Sequence, residues 1–121
     1  MYIAANLTPN SIKLLKEKLS PKYTKVFYHH MTIAYNPNEE IFNKYKNLIG
    51  EEIDLQVFAS CHDNRAHAVL IDTDKSENEY PHITLSCIED ENAFYSNTML
   101  KNKSNFGNVY IKLKGIVTLN D

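Results

Sequence analysis

The apolar positions of the chain recur with two different spacings. Stretches that are continuously apolar, or that alternate apolar with polar residues, are typical of strands. They predict six strands, at residues 2–7, 25–35, 53–61, 66–72, 82–88 and 109–119. Other stretches carry apolar side chains at helical spacing and predict three short amphipathic helices. These helices lie at residues 8–19 and 38–50 and from residue 89 onward, with Thr8 or Asn10 as the first cap. The acidic residues 89–91 are expected to form the start of the third helix, where the helix dipole favours negative charge.

The order of these elements predicts the fold class. Strands outnumber helices, and the turn at residues 62–64 predicts an antiparallel hairpin between its two neighbouring strands. We therefore expect an α+β fold with mainly antiparallel sheets and short helices outside. A chain of 121 residues can bury a core of its own, and no linker or low-complexity stretch interrupts it. Residues 1–121 are predicted to form a single domain.

Two six-residue strings within the predicted strands have the same pattern. Residues 28–33 read Tyr-His-His-Met-Thr-Ile and residues 80–85 read Tyr-Pro-His-Ile-Thr-Leu, so both follow Tyr-x-His-x-Thr-aliphatic. Alternate side chains of an extended strand share a face, so each string predicts a tyrosine, a histidine and a threonine in one row. Each string is also followed by acidic residues and a short helix. This weak repeat predicts two pseudo-symmetric lobes with both rows in a central cleft.

The residue types in these rows suit the cleavage of a phosphodiester. In-line displacement at phosphorus needs a base for the attacking oxygen and an acid for the leaving oxygen. A histidine pKa near 6.5 lets His30 and His82 hold opposite protonation states. Thr32 and Thr84 can donate hydrogen bonds to the non-bridging oxygens of the phosphoryl group. Tyr28 and Tyr80 could stack on a base or contact the phosphate, or they could simply be cross-strand packing partners.

The paired motifs at His30-x-Thr32 and His82-x-Thr84 resemble the two His-x-Thr-x signatures of the 2H phosphoesterase superfamily. That superfamily includes bacterial LigT-type proteins, cyclic nucleotide phosphodiesterases, and phage and viral enzymes that destroy cyclic nucleotide immune signals. The resemblance implies a bilobal α+β fold, metal-independent chemistry without a cofactor, and an acid or base role for each histidine. It implies phosphate contacts for the two threonines. The short spacing between the motifs suggests trimmed loops and a more open cleft than is usual, and the lean composition fits a phage or viral member.

Composition narrows the choice of partner. The net charge is −2 and Arg65 is the only arginine, which argues against a long basic track for RNA or DNA. No apolar run reaches the length of a membrane span, and the first residues lack the basic start of a secretory signal. Cys61 and Cys87 are expected to be reduced, buried thiols, which is typical of a cytoplasmic protein. We therefore expect a cytoplasmic protein that binds a small nucleotide or a cyclic oligonucleotide.

Four other features of the sequence offer weaker candidates for function. His29 adjoins His30, but in a regular strand it would point to the opposite face. A zinc site could in principle be built from residues of the right type, namely Cys61, His62, His67 and His29. Their spacing matches no compact zinc motif. A cysteine nucleophile is disfavoured by apolar neighbours. The basic residues 101–104 are expected to form a solvated loop.

The sequence thus predicts a metal-independent phosphodiesterase acting on a small cyclic nucleotide or cyclic oligonucleotide, a class that includes immune messengers. Two alternatives remain open at this point. One is a non-catalytic module that sequesters a nucleotide, and the other is an enzyme that opens 2′,3′-cyclic phosphates at RNA ends. The motifs do not distinguish the histidine that acts as acid from the one that acts as base, because the predicted cleft is nearly symmetric.

Overall fold

A computed structural model of the protein describes residues 1–102 and 105–121. The strands in this part of the chain are β1 (Tyr2–Leu7), β2 (Lys25–Val26), β3 (His30–Tyr35), β4 (Glu52–His62), β5 (Ala66–Asp72), β6 (His82–Cys87) and β7 (Phe106–Asn120). The helices are α1 (Pro9–Lys18), α2 (Glu39–Tyr45) and α3 (Ser96–Asn102), with 3₁₀ turns at Lys46–Leu48 and Ala93–Tyr95. No helix in these two ranges is long and apolar enough to cross a membrane.

The first two helices begin where the sequence predicts. The Thr8 hydroxyl accepts a hydrogen bond from the Ser11 amide at 3.3 Å, and Pro9 occupies the first turn, where it has no amide hydrogen to leave unpaired. The Asn38 side chain accepts from the Ile41 amide at 2.9 Å, and two glutamates follow in the first turn of α2. Both caps satisfy backbone donors that the helix itself cannot pair.

The third helix begins later than predicted. The acidic residues 89–91 do not start it; they precede a 3₁₀ turn, and α3 begins at Ser96. The reason is the cap that forms at Asn92, whose side chain accepts a hydrogen bond from the Phe94 amide at 3.0 Å. The expectation that the carboxylates form the first turn of this helix was therefore wrong.

The strands form one closed antiparallel sheet. Their order is β2-β6-β3-β1-β7-β4-β5, and β5 also pairs with β6, which closes a barrel of six strands. All strand pairs are antiparallel. The predicted α+β class with mainly antiparallel pairing is therefore confirmed. The strands of the two predicted lobes join in this single sheet, and β3 and β6, which carry the two motifs, are neighbours within it.

The predicted strand at residues 25–35 is interrupted in the middle. Tyr28 has a φ of 51°, in the left-handed region that a tyrosine seldom occupies. Its ring is buried, and its hydroxyl donates to the Leu19 carbonyl at 2.6 Å. The backbone at the break still follows β6, because the Tyr28 amide donates to the Thr84 carbonyl at 3.2 Å. The break separates β2 from β3 without detaching either from the sheet.

The two faces of the motif strands have different roles. Met31, Ile33, Ile83 and Leu85 are fully buried in the large apolar cluster that also contains Leu15 of α1. Because side chains alternate along a strand, the histidines and threonines between them lie on the other face. On that face α3 contributes Met99 and Leu100 to a second apolar cluster. The catalytic candidates thus stand on a rigid, well-packed base.

Part of one predicted loop lies outside the described residues. Lys101 and Asn102 belong to the end of α3 and are exposed, whereas residues 103 and 104 are not among those described. The solvated loop predicted for residues 101–104 is therefore helical at its first two positions.

Candidate active site

His82 is held by the backbone of its own motif. Its side chain is 8 % exposed, and its Nδ1 lies 2.7 Å from the carbonyl oxygen of Tyr80. A carbonyl can only accept, so Nδ1 carries the hydrogen and Nε2 is left for chemistry. Burial lowers the pKa of His82, while the hydrogen bond to Tyr80 acts in the opposite direction and favours the charged ring.

His30 lies on the neighbouring strand and faces the same cavity. The two strands pair at Met31 and Ile83, which places the motif histidines on either side of that contact. Tyr2 of β1 lies against His30, with ring centroids 5.7 Å apart. The pKa of His30 is lowered to about 4, mainly by burial and also by repulsion from the imidazoles of His29 and His82 when these are protonated.

The two motif threonines have different surroundings. Thr84 is 9 % exposed, and its hydroxyl lies 2.8 Å from the hydroxyl of Ser96, a residue that is fully buried. It also donates to the Ala93 carbonyl at 3.3 Å. Thr32 is partly exposed, and no other side chain of the described residues hydrogen-bonds to its hydroxyl. The Thr32 hydroxyl is therefore available to donate a hydrogen bond to a ligand, whereas the Thr84 hydroxyl is held in position by the start of α3.

These four side chains line one cavity of about 400 Å³. The other side chains around it are aromatic, amide or small: Tyr2, Phe27, His29, Tyr35, Asn78, Ala93, Phe94 and Asn97. Tyr35 and Phe94 are 70 % and 69 % exposed, and their rings meet edge to face with centroids 6.5 Å apart. Two large apolar rings exposed at the edge of a pocket are typical of a surface that receives a flat ligand.

The loop between β5 and β6 forms one wall of the cavity. The Ser76 hydroxyl donates to the Thr32 carbonyl at 2.9 Å, and the Glu77 amide donates to the Ile33 carbonyl at 2.7 Å. Glu77 also forms an ion pair with Lys44 at 3.0 Å. These contacts tie the loop to β3 and fix the position of Asn78, which lines the cavity. The loop at residues 73–79 is thus part of the site.

The two motif tyrosines do not line this cavity. Tyr28 was expected to share a face with His30, and this is wrong: its left-handed backbone turns the side chain into the large apolar cluster. Tyr80 packs against the smaller cluster beneath α3. It serves the site through its carbonyl group, which orients His82. The aromatic positions that do line the cavity come from other elements.

The expected direction of His29 is also wrong. A regular strand would place it on the face opposite His30, but the break at Tyr28 ends the alternation before β3 begins. His29 lines the cavity, and its Nδ1 lies 2.8 Å from Nδ1 of His30. Together with Tyr35, Phe94 and Ser96, it is a site residue that pattern reasoning missed. No periodic signal marks these residues, because they occupy a strand break, a strand end, a 3₁₀ turn and a helix start.

The residues considered for a zinc site do not converge. Cys61 is buried in the cluster with Cys87, whereas the next residue, His62, lies beside His67 with ring centroids 6.2 Å apart. His29 lies in the cavity described above. Within the described residues, no group of three or more histidine, cysteine or acidic side chains is placed to hold a metal ion.

The buried cysteines are poorly suited to act as nucleophiles. Both side chains are fully buried. Burial raises the pKa of the Cys61 thiol to about 11 and also raises the pKa of Cys87, so the reactive thiolate is disfavoured in both.

Buried imidazoles should make the protein less stable in mild acid. Burial lowers the pKa of His30 and of His67 from 6.5 to about 4, and that of His82 in the same direction. Below pH 6.5 these histidines therefore bind more protons in the unfolded chain than in the folded chain. We expect the free energy of unfolding to fall between pH 7 and pH 5, by up to about 1.4 kcal/mol per pH unit for each fully shifted group.

Urea unfolding at a series of pH values measures this effect. His67→Gln is the matched variant, because a glutamine can keep the contact with Ser60, which lies 3.0 Å from Nε2 of His67. It should show a shallower dependence on pH than the wild type. Equal stability at pH 7 and pH 5 would show that these rings are free to protonate in the folded state.

Comparison with known proteins agrees with this geometry. Residues 9–119 match the model of a family described as the fungal tRNA ligase phosphodiesterase domain. Comparison with curated protein sequences gives no match. The matched region contains both His-x-Thr motifs and the described strands other than β1, and the family is one of cyclic phosphodiesterases. The chain therefore belongs to the fungal tRNA ligase phosphodiesterase domain family, within the 2H phosphoesterase superfamily.

Proposed function

We propose that the protein hydrolyses the cyclic phosphate of a small nucleotide, with a 2′,3′-cyclic phosphate as the best-fitting substrate. The observation that carries this proposal is the single cavity lined by His30, His82, Thr32 and Thr84. It offers two titratable rings and two hydroxyls around one space, as acid–base cleavage at phosphorus requires. Membership of a cyclic phosphodiesterase family supports the same reaction.

The size and charge of the cavity favour one nucleotide with one negative charge. A volume of about 400 Å³ lies at the lower end of the range for small-molecule sites, roughly 300–1,000 Å³. None of the described residues that line it is a lysine, an arginine or a carboxylate. A cyclic phosphodiester carries a single charge, which two histidines and two threonines can compensate. A substrate with several phosphates inside the cavity would lack partners for them.

The exposed rings of Tyr35 and Phe94 provide a place for the base. Stacking of a base on an aromatic side chain is worth about 1–3 kcal/mol and tolerates different bases. A longer or cyclic oligonucleotide would have to extend past these rings into solvent. A cyclic oligonucleotide messenger is therefore the second candidate substrate class, and turnover measurements should include it.

In the proposed mechanism, His30 is the base and His82 the acid. Burial lowers the pKa of both rings, that of His30 to about 4, and at His82 the hydrogen bond to the Tyr80 carbonyl opposes this effect. We therefore assign the proton to His82. His30 takes a proton from water as the water oxygen attacks phosphorus. The bond from phosphorus to one ribose oxygen breaks, and that oxygen receives its proton from His82. The product is a linear phosphate monoester.

The threonines would stabilise the charge that grows on phosphorus-bound oxygens. Thr32 can donate its hydroxyl hydrogen directly. Thr84 can accept a hydrogen bond from Ser96 and redirect its own hydrogen from the Ala93 carbonyl to the substrate. The buried Ser96 hydroxyl would thus keep Thr84 oriented during the change.

Turnover of a defined panel tests this proposal. The panel contains nucleoside 2′,3′-cyclic phosphates, 3′,5′-cyclic nucleotides and cyclic di- and trinucleotides, each with EDTA present. We expect the 2′,3′-cyclic compounds to be opened with the highest kcat/KM. Preference for a cyclic oligonucleotide would reassign the substrate. Recovery of every compound unchanged, with tight binding of one of them, would instead support a module that sequesters its ligand.

A further inference from the structure

His29 and His30 are consecutive residues whose imidazoles meet through the same ring atom. Their Nδ1 atoms lie 2.8 Å apart, and the rings are edge to face, with centroids 5.0 Å apart and an interplanar angle of 87°. This distance is that of a hydrogen bond. One Nδ1 must therefore carry a hydrogen and the other must accept it, since two hydrogens or none would repel.

We propose that His29 is a positioning residue that accepts a hydrogen bond from Nδ1–H of His30 and thereby keeps Nε2 of His30 unprotonated to act as base. This inference rests on the proposed hydrolysis. The reverse arrangement would place the hydrogen of His30 on Nε2, where the ring could not take a proton from water. The other nitrogen of a catalytic histidine is usually fixed by a hydrogen-bonding partner in this way.

The break at Tyr28 is what makes this contact possible. It releases His29 from the alternation of the strand, so two neighbouring side chains can reach the same cavity. The His29 backbone is held in place because its carbonyl accepts a hydrogen bond from the Leu7 amide at 2.9 Å. The left-handed tyrosine therefore has a consequence for the site as well as for the core.

The contact also stabilises the charge that His30 acquires in the reaction. Once Nε2 has taken a proton, the ring is a cation whose Nδ1–H already points at a neutral acceptor. The other titratable groups that face His30 are His82 on β6 and Tyr2 on β1, and the described cavity lining has no carboxylate. His29 is thus the partner of Nδ1, in the place that a carboxylate holds in a Ser-His-Asp triad.

Nitrogen-15 spectra of histidine-labelled protein read this arrangement directly, since protonated and unprotonated ring nitrogens differ in chemical shift. In the wild type near pH 8, we expect His30 to carry its hydrogen on Nδ1. In His29→Phe, the new ring fills the space but offers no acceptor, so the tautomer of His30 with its hydrogen on Nδ1 should no longer be preferred. His29→Asn is the matched control, because its side-chain oxygen can accept in place of Nδ1. The His29 side chain is exposed, so neither change disturbs the core.

Kinetics supply the second measurement. We expect kcat of His29→Phe to fall roughly tenfold to a hundredfold, the range seen when a group that orients a functional histidine is removed. The acidic limb of its pH–rate profile should move, because His30 loses the group that contacts its Nδ1. His29→Asn should retain most of the activity and the wild-type limb.

The outcomes separate the two proposals. Two spectral results would overturn the role of His29. One is a wild-type enzyme that turns over substrate while His30 carries its hydrogen on Nε2. The other is a His30 tautomer that stays the same in His29→Phe. An unchanged pH profile in His29→Phe does the same. A wild type without turnover on any cyclic nucleotide overturns the proposed function, and the spectra still decide the hydrogen bond.

Discussion

Replacing either histidine of the cavity by asparagine should reduce kcat by about 10²–10⁴, the usual contribution of a positioned acid or base. Asparagine is the informative choice at both positions. At position 82 its amide can keep the hydrogen bond to the Tyr80 carbonyl, and at position 30 it can keep the contact with His29. Each substitution therefore removes the titratable Nε2 and leaves the local packing in place.

Three measurements make this result specific. Calorimetric binding of a nucleoside 2′,3′-cyclic phosphate should persist in both variants, because the threonines and the aromatic rings remain. The double variant should lose little more than the worse single variant, since the two rings act in one step. The basic limb of the pH–rate profile should disappear in His82→Asn. Retention of near-wild-type kcat in either variant would remove that histidine from the mechanism.

Shortening Ile83 to alanine should lower the free energy of unfolding by about 2–5 kcal/mol, the range for large-to-small changes in a packed core. Ile83 is fully buried and pairs with Met31 at the contact between β3 and β6. Because the sheet is closed on both sides of β6, its neighbours cannot collapse easily into the space that is left. Urea unfolding with a shared m value measures the loss.

Ile83→Val is the matched control and should cost only about 0.5–1.5 kcal/mol. Both variants leave the side chains of the cavity unchanged, so the folded fraction of each should still bind the cyclic nucleotide. A loss of stability below about 1 kcal/mol in Ile83→Ala would contradict the packing described for this strand.

The sequence was sufficient to predict most of the elements and the meeting of the two motifs. Period-two patterns marked the strands, and Thr8 and Asn38 marked two helix starts through their capping chemistry. The repeated His-x-Thr pattern placed His30, His82, Thr32 and Thr84 on shared faces, and the structure brings them to one cavity. Their roles in catalysis stay predictions until the variants are measured.

Features set by one backbone conformation could not be predicted in the same way. The rule of alternation assumes an unbroken strand, and the left-handed Tyr28 violates it. Because of this one backbone conformation, Tyr28 does not share a face with His30 and Thr32, and His29 lies in the site instead. Ser96 and Phe94 escaped notice because their roles depend on where α3 docks, which is decided by tertiary packing and not by local pattern.

The closed sheet has a consequence for how function and folding are linked. Its two motif strands lie far apart along the chain and become neighbours only where Met31 meets Ile83. Neither half of the polypeptide, taken alone, contains both imidazoles. On the proposed mechanism, any partly ordered form in which β3 and β6 are still apart is inert, and turnover would serve as a direct readout of barrel closure.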